Sequence, residues 1–420
     1  MRTKKSQLTA SFIGNILEWY DFAIFGYLAV TIGKLFFPSD DPIISLLQSF
    51  SVFAIGYLAR TLGGILFGQI GDKYGRSKAL RVSIYLMAAS TVSMGLLPTY
   101  EQLGIAATLL LILLRILQGI SVGGEYVGTN IYIFESCPKK RQTFWCSFVT
   151  GSATVGVILG SLTIALLHYT FTQIEIENGA WRIPYLCGIV LAVFGIIARR
   201  YLLETEEFKK DVATHVPPAY PLLAAFKHSH KAILQIIALN VFISISFYTL
   251  FVWMPTFLHV FLGVSPQKAL FLNTGLMIFL ITLMPFCGLL ADHIGRKKVA
   301  LFSAVLITLL AYPLFQLIVM GSWWAILLAL ILLTASFSLM NGVTAAITAS
   351  LFPVGHRYSA IGLSYNFSTS VFGATSPVVC TYLISKLGLI SAPGIYMTVA
   401  GIVGIVTALS LKSRAGAQIH

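Results

Sequence analysis

Apolar runs long enough to cross a bilayer follow one another along almost the whole chain, each ended by charges or turn residues. One helical crossing takes about 20 such residues. By that measure twelve candidate helices begin near residues 8, 46, 79, 104, 143, 182, 231, 267, 298, 323, 358 and 391. Short alternating segments punctuated by turns are missing, which argues against an outer-membrane barrel. One long hydrophilic stretch, roughly Arg199 to Lys231, interrupts the series with Glu204-Thr205-Glu206-Glu207, Lys209-Lys210 and Pro217-Pro218, and it divides six runs from six. The pattern predicts an all-α membrane protein: a bundle over residues 1–202, a cytoplasmic linker over 203–230 and a second bundle over 231–420.

Composition agrees. Of 420 residues, 57% are apolar and 10% charged, with a mean hydropathy of +0.85, far from the values of soluble domains. Twelve crossings leave no room for a large soluble domain. The net charge of +13 would suggest nucleic acid in a soluble protein, but position decides its meaning here. With both termini inside, only Lys34, Arg182, Lys268 and Lys386 fall outside, and Arg60 and Arg115 lie within spans. All other basic residues are then cytoplasmic, as positive-inside bias requires, so no nucleic-acid partner is implied. Arg2-Thr3-Lys4-Lys5 could open a secretory signal, but Glu18 and Asp21 interrupt the following run, which reads as the first span. The cysteines, Cys137, Cys146, Cys187, Cys287 and Cys380, lack metal spacing and read as reduced and structural. His215, His228 and His230 have no acidic or thiol partner at ligand spacing, so neither a metal nor a cofactor is expected.

The two halves share a motif. Gly68, Asp72, Gly75 and Arg76 recur at the same spacing as Gly288, Asp292, Gly295 and Arg296, which points to a duplicated six-helix unit. Glycines allow close helix approach and a tight turn, and an aspartate at a helix end can bond a neighbouring helix N-terminus or an arginine. Gly68, Asp72, Gly75, Arg76, Asp292, Gly295 and Arg296 are therefore the candidate latch between the halves. The same residues read structurally as two unrelated capped turns. This pattern resembles the major facilitator superfamily, whose fold has twelve transmembrane helices in two pseudo-symmetric six-helix bundles with both termini cytoplasmic.

Closer likeness is carried by Gly14-Asn15-x-x-Glu18-Trp19-Tyr20-Asp21-Phe22, by Arg115-x-x-Gln118-Gly119-x-x-x-Gly123-Gly124-Glu125, and by Trp181-Arg182-Ile183-Pro184. Glu135-x-x-Pro138-x-x-Arg141, Trp253-Met254-Pro255 and Phe352-Pro353-x-x-x-Arg357-Tyr358-Ser359-Ala360 extend it across the chain. Together these resemble the metabolite:proton symporter family. The resemblance implies a bacterial inner-membrane carrier of proline or betaine osmolytes, of dicarboxylates or citrate, or of shikimate, moved together with a proton. The osmolyte carriers look nearest between Gly63 and Glu125. Thr61 stands where a proline usually follows the arginine of span two, and the sequence ends at His420 without the coiled-coil extension of some osmosensing members, so osmotic activation is not carried over.

Apart from any family, an ionisable group inside a span costs about 2.5–3.5 kcal/mol on insertion scales and usually faces a cavity or a partner. Glu18, Asp21, Arg60, Arg115 and Glu125 all lie in the first half, while the second offers neutral groups such as Asn240, Tyr248, Asn273, Asn341 and Asn366. Glu18 and Asp21, three residues apart, can share one face, where both do not easily ionise. Asp21, Glu18, Arg115 and Glu125 are the proton-coupling candidates, with Arg115 expected to pair with whichever acid is ionised and then to engage a solute carboxylate. The competing reading is a set of structural ion pairs holding helices one, two and four together.

For the solute, the candidates are Tyr20, Trp19, Arg60, Arg115, Tyr248 and Asn341: guanidinium groups suit a carboxylate, and aromatic faces suit a quaternary ammonium. The partners expected are thus a small organic solute, a proton and the lipid bilayer, for a protein acting as a monomer. An importer is the first reading, and an exporter or exchanger on the same scaffold is the second. An enzyme would need an activated nucleophile or a metal cluster, and the sequence offers neither. A receptor would need a sensor domain for which there is no room.

Overall fold

The computed structural model describes residues 2–74, 76–199, 221–352 and 357–411, and the regular structure among them is entirely helical. In lipid every backbone N–H and C=O has to find a protein partner, and a helix supplies one from within its own segment. The first half consists of α1 (Arg2–Tyr27), α2 (Pro42–Tyr74), α3 (Arg76–Gly95), α4 (Ile105–Ser121, resumed as Glu125–Ser136), α5 (Gln142–Thr170) and α6 (Ile183–Arg199). After Leu28, α1 bends by 62° and continues as Ala29–Phe36. The second half consists of α7 (Pro221–Phe247, a π-helical turn Tyr248–Trp253, then Met254–Val260), α8 (Pro266–Ile294), α9 (Arg296–Val319) and α10 (Trp323–Ser350). It ends with α11 (Arg357–Ser368, a π-helical turn Thr369–Gly373, then Ser376–Leu387) and α12 (Ala392–Ser410).

Among the described residues nine segments are long and apolar enough to cross a membrane, the bent α1 makes a tenth, and the shorter α3 and α6 complete the twelve. Most helices start close to where the apolar runs begin. The exceptions are α1, helical from Arg2, and α7, whose helix begins at Pro221 inside the stretch read as linker and kinks at Ser229. Residues 200–220, with His215 and the centre of that linker, lie outside the described residues.

Apolar side chains cover both sides of these helices because the outer side meets acyl chains. On α2, Leu58, Leu62 and Leu66 recur every fourth residue and remain 46%, 57% and 49% exposed. The inner side of α2 is built differently. A Cβ on Gly63 would lie 2.0 Å from the Ile120 carbonyl oxygen, and one on Gly119 would lie 1.8 Å from that of Gly56. Backbone therefore touches backbone where α2 crosses α4, a contact only glycine permits. At that crossing Gly56 also leaves room for the Arg115 guanidinium, since a Cβ there would lie 3.2 Å from its Nη2.

Among the described residues, hydrogen bonds join the halves along three seams. The first pairs α5 with α8: Thr274 Oγ1 donates to Ser161 Oγ at 2.9 Å, and Gln267 Nε2 donates to the His168 carbonyl at 2.7 Å. At the cytoplasmic end of this seam, Asp292 accepts from the amides of Thr143 and Phe144, both at 3.0 Å, so its carboxylate caps the N-terminus of α5. Arg296 bonds Thr143 Oγ1 and Gln142 Oε1, each at 2.9 Å. Gly288 lets α8 approach, since a Cβ there would sit 3.0 Å from the Phe144 Cα. The other copy of the motif cannot be compared: Gly75, and the side chains of Gly68, Asp72 and Arg76, lie outside the described residues.

The second seam pairs α1 with α7. Pro255 has no N–H to give the carbonyl four residues earlier, that of Phe251. That oxygen instead accepts from the Tyr27 hydroxyl at 2.7 Å and from Asn273 Nδ2 at 2.9 Å, tying α1, α7 and α8 together near the outer side. The third seam pairs α11 with α2 and α4, through Ser370, whose hydroxyl donates to the Tyr57 carbonyl, and through Tyr358, whose hydroxyl donates to the Gly124 carbonyl at 2.6 Å.

Candidate functional site

A small cavity lies between the halves, walled by Trp19, Tyr126, Thr150, Thr154, Asn240, Tyr248, Asn341, Thr344, Tyr365 and Thr369 among others. Its walls come from α1, α4, α5, α7, α10 and α11. The volume is about 40 Å³, space for a few waters only. The seam at Tyr27 flanks it on one side, and those at Asp292 and Tyr358 flank it on the other. No charged side chain lines this cavity among the described residues. Its walls offer aromatic faces, amides and hydroxyls, and several buried polar atoms of the residues that wall it have no hydrogen-bond partner among the described residues: Trp19 Nε1, both amide atoms of Asn240 and Thr369 Oγ1. Buried polar groups are normally paired, so this convergence suits a small solute that carries its own donors and acceptors.

The charges stand one layer behind the walls. Glu18 and Arg60, both almost fully buried, form an ion pair with Nη2 at 2.7 Å from Oε1. The Arg60 guanidinium lies 5.8 Å from the Trp19 ring centre and 5.6 Å from that of Tyr365, and its Nε donates to Asn366 Oδ1 at 2.8 Å. The two aromatic walls of the cavity are therefore already held by a cation belonging to the protein.

Asp21 points elsewhere. Its Oδ2 accepts from Thr91 Oγ1 at 2.7 Å and from Gln118 Nε2, deep among α1, α3 and α4. Arg115 does not touch either acid directly. Its Nη1 donates to Gln118 Oε1 at 2.6 Å, and its guanidinium stacks 4.7 Å from Phe22 and 4.3 Å from Phe25. The Gln118 amide sits between cation and acid, oxygen toward Arg115 and nitrogen toward Asp21, the only orientation in which both ends are satisfied. Glu18 and Asp21 are accordingly not a carboxylate pair sharing a proton. Three residues on a helix advance by roughly 300°, and here that residual angle sends one acid to α2 and the other to α3 and α4.

Of the residues expected to meet solute, Trp19, Tyr248 and Asn341 wall the cavity. Tyr20 is directed into its own half, where its hydroxyl donates to the Pro184 carbonyl at 3.1 Å. Arg60 backs the aromatic walls and Arg115 lies farther in. The Glu125 side chain lies outside the described residues. The sequence reading singled out neither Thr91, Tyr126 nor Tyr365, and named Gln118 only within a motif and Asn240 only among the neutral groups of the second half. Gln118, Asn240 and Tyr365 were detectable as polar groups inside apolar runs, whereas Thr91 is an ordinary helix threonine until packing places it against Asp21. Toward the outer side, above Tyr27, a second cavity of about 330 Å³ is lined by Lys34, His168, Gln173, His259 and Gln267 among others. Lys34 is paired there with Glu177 at 2.8 Å.

The sequence profile of the Major Facilitator Superfamily matches residues 11–280 and 261–418. The glycine betaine/proline/ectoine/pipecolic acid transporter OusA of Dickeya dadantii is 32% identical, over 98% of this chain and 84% of its own length. The proline/betaine transporter of Escherichia coli strain K12 is 31% identical over the same shares. Among solved structures, the partially occluded inward-open xylose transporter XylE from E. coli superposes with a TM-score of 0.79 over 100% of both chains at 15% identity, a likeness of fold. The chain belongs to the major facilitator superfamily. It is an integral membrane transporter with the twelve-helix fold of that family, and its relatives are named as carriers rather than enzymes.

Proposed function

We propose that this member of the superfamily imports a small zwitterionic osmolyte of the proline or betaine type together with a proton. The observation that carries the reading is the division of labour around the central cavity. Its walls are aromatic and neutral, while the Glu18–Arg60 pair lies directly behind Trp19 and Tyr365. An uncharged cavity favours a solute without net charge over a tricarboxylate, because each unpaired charge carried into a low-dielectric site has to be compensated. The names of the relatives point to the same class of solute.

Protonation of Glu18 would remove the charge that holds Arg60 and free the guanidinium for a solute carboxylate arriving on the other side of Trp19. Asp21, bridged to Arg115 through Gln118, is the second place where a proton can be held, shielded from the solute. Only the empty or the doubly loaded carrier then exchanges freely between its two openings. The membrane potential supplies about 2.3 kcal/mol per proton for each 100 mV.

The reading is tested in sealed proteoliposomes with an imposed proton gradient and labelled proline or glycine betaine. Inward accumulation that collapses with a protonophore is expected. Depletion of preloaded vesicles would instead indicate an exporter, and accumulation indifferent to the protonophore would rule out coupling.

A further inference from the structure

Asn366 stands in the middle of α11, fully buried, with both ends of its amide engaged by the opposite half. Its oxygen accepts from Arg60 Nε at 2.8 Å, and its nitrogen donates to the Gly123 carbonyl at 2.6 Å. A guanidinium only donates and a carbonyl only accepts, so the amide has one workable orientation. The Gly123 carbonyl belongs to the interruption of α4 between Ser121 and Glu125, where the helix is remade. Access depends on small residues, since a Cβ on Gly64 would lie 3.0 Å from Asn366 Nδ2. One neutral side chain of the second half thus touches both the ion pair of the first half and the break in α4. Tyr358, at the cytoplasmic start of α11, bonds the next carbonyl of the same break, that of Gly124.

We propose that Asn366 is a positioning residue that makes closure of the cytoplasmic side conditional on the Glu18–Arg60 pair; the inference rests on the proton-coupled reading above. While Glu18 is ionised it holds Arg60, whose Nε fixes the Asn366 oxygen and so turns its nitrogen to Gly123, and α11 stays on α4. When Glu18 takes a proton and Arg60 turns to a solute carboxylate, Asn366 loses the donor that orients it. The α11–α4 contact is released and the cytoplasmic side opens. After solute and proton leave, Arg60 returns to Glu18 and the contact re-forms, which permits the empty carrier to reset. Tyr358 closes the same seam without touching Arg60 in this arrangement, so it contributes closure but not conditionality.

The two residues separate in experiment. In proteoliposomes Asn366→Ala should retain solute counterflow yet lose about tenfold in gradient-driven accumulation, the scale of one hydrogen bond to a charged group. Tyr358→Phe should keep the wild-type proton-to-solute ratio. Hydrogen exchange on the purified wild type should show faster exchange in peptides spanning 119–134 and 357–368 when proline and low pH are combined. In Asn366→Ala that exchange should already be fast and indifferent to both. Wild-type coupling retained in Asn366→Ala, or wild-type exchange unchanged by proline and pH in a preparation that transports with protons, overturns the inference. Because the exchange measurement is made on the wild type, it holds even where a variant fails to fold. Absence of proton-driven uptake by the wild type itself would instead remove the reading on which the inference rests.

Discussion

The two halves share a fold and an internal repeat, yet they handle charge in opposite ways. In mid-membrane the first half buries Glu18, Asp21, Arg60 and Arg115, each with polar partners, while the second half presents Asn240, Asn273, Asn341 and Asn366 and two π-helical turns. The proposed function assigns proton storage to the first half and its readout to the neutral amides of the second. An amide suits that task because it both donates and accepts while staying uncharged at every pH. Interrupted helices supply what the amides bind: the Phe251 carbonyl freed by Pro255 for Asn273, and the Gly123 carbonyl at the break of α4 for Asn366.

The most severe way to break this asymmetry is to remove one buried charge. Arg60→Ala should destabilise the protein by about 3–5 kcal/mol, because the buried Glu18 carboxylate loses the cation that balances its charge. Thermal unfolding in detergent measures it, and the double variant Glu18→Gln with Arg60→Gln should recover most of the stability but none of the coupling. If the single variant melts with the wild type, the ion pair is not what holds α1 to α2. Next, Asp21→Asn should abolish gradient-driven accumulation and spare counterflow, since the amide keeps an acceptor for Thr91 but cannot release a proton. Retained accumulation would move proton storage to Glu18 alone.

A neutral residue of the second half should behave otherwise. Asn240→Ala is expected to raise KM for proline about tenfold with coupling unchanged, the loss of one or two hydrogen bonds to solute. An altered proton-to-solute ratio would contradict the division of labour. A smaller effect belongs to the acid of the second half at its cytoplasmic edge. Asp292→Asn should weaken the cap on α5 by about 1 kcal/mol and speed amide exchange at Thr143 and Phe144. The smallest lies in the outer loop, where Thr172 bonds the Glu175 carboxylate through its backbone N–H and its hydroxyl and holds it below the usual carboxylate range. A depressed carboxylate contributes above its unfolded pKa and is lost as pH falls through the folded one, so exchange protection of Gln173–Glu177 should fade only in acid.

How much of the site was legible followed from what each signal required. Glu18, Asp21, Arg60 and Arg115 were visible because a charge inside an apolar run is expensive wherever it points. Their pairing was not visible: helical spacing placed Glu18 and Asp21 within reach of each other, while packing sent them to different helices and inserted Gln118 between Asp21 and Arg115. Tyr20 stands next to Asp21 in the sequence, yet adjacent residues on a helix face about 100° apart, and its hydroxyl ends on α6. Tyr126 and Tyr365, whose rings stack 4.5 Å apart across the halves, share no sequence relation at all.

By itself the sequence determined the twelve crossings, their orientation and the half that carries the charges, because transfer into lipid is decided residue by residue along a run. Only the tertiary structure decided which acid meets which cation, which aromatics wall the cavity and which carbonyls the breaks release. Those are contacts between segments far apart in the chain, and they depend on helix rotation and on a close approach that glycine allows and no local pattern specifies.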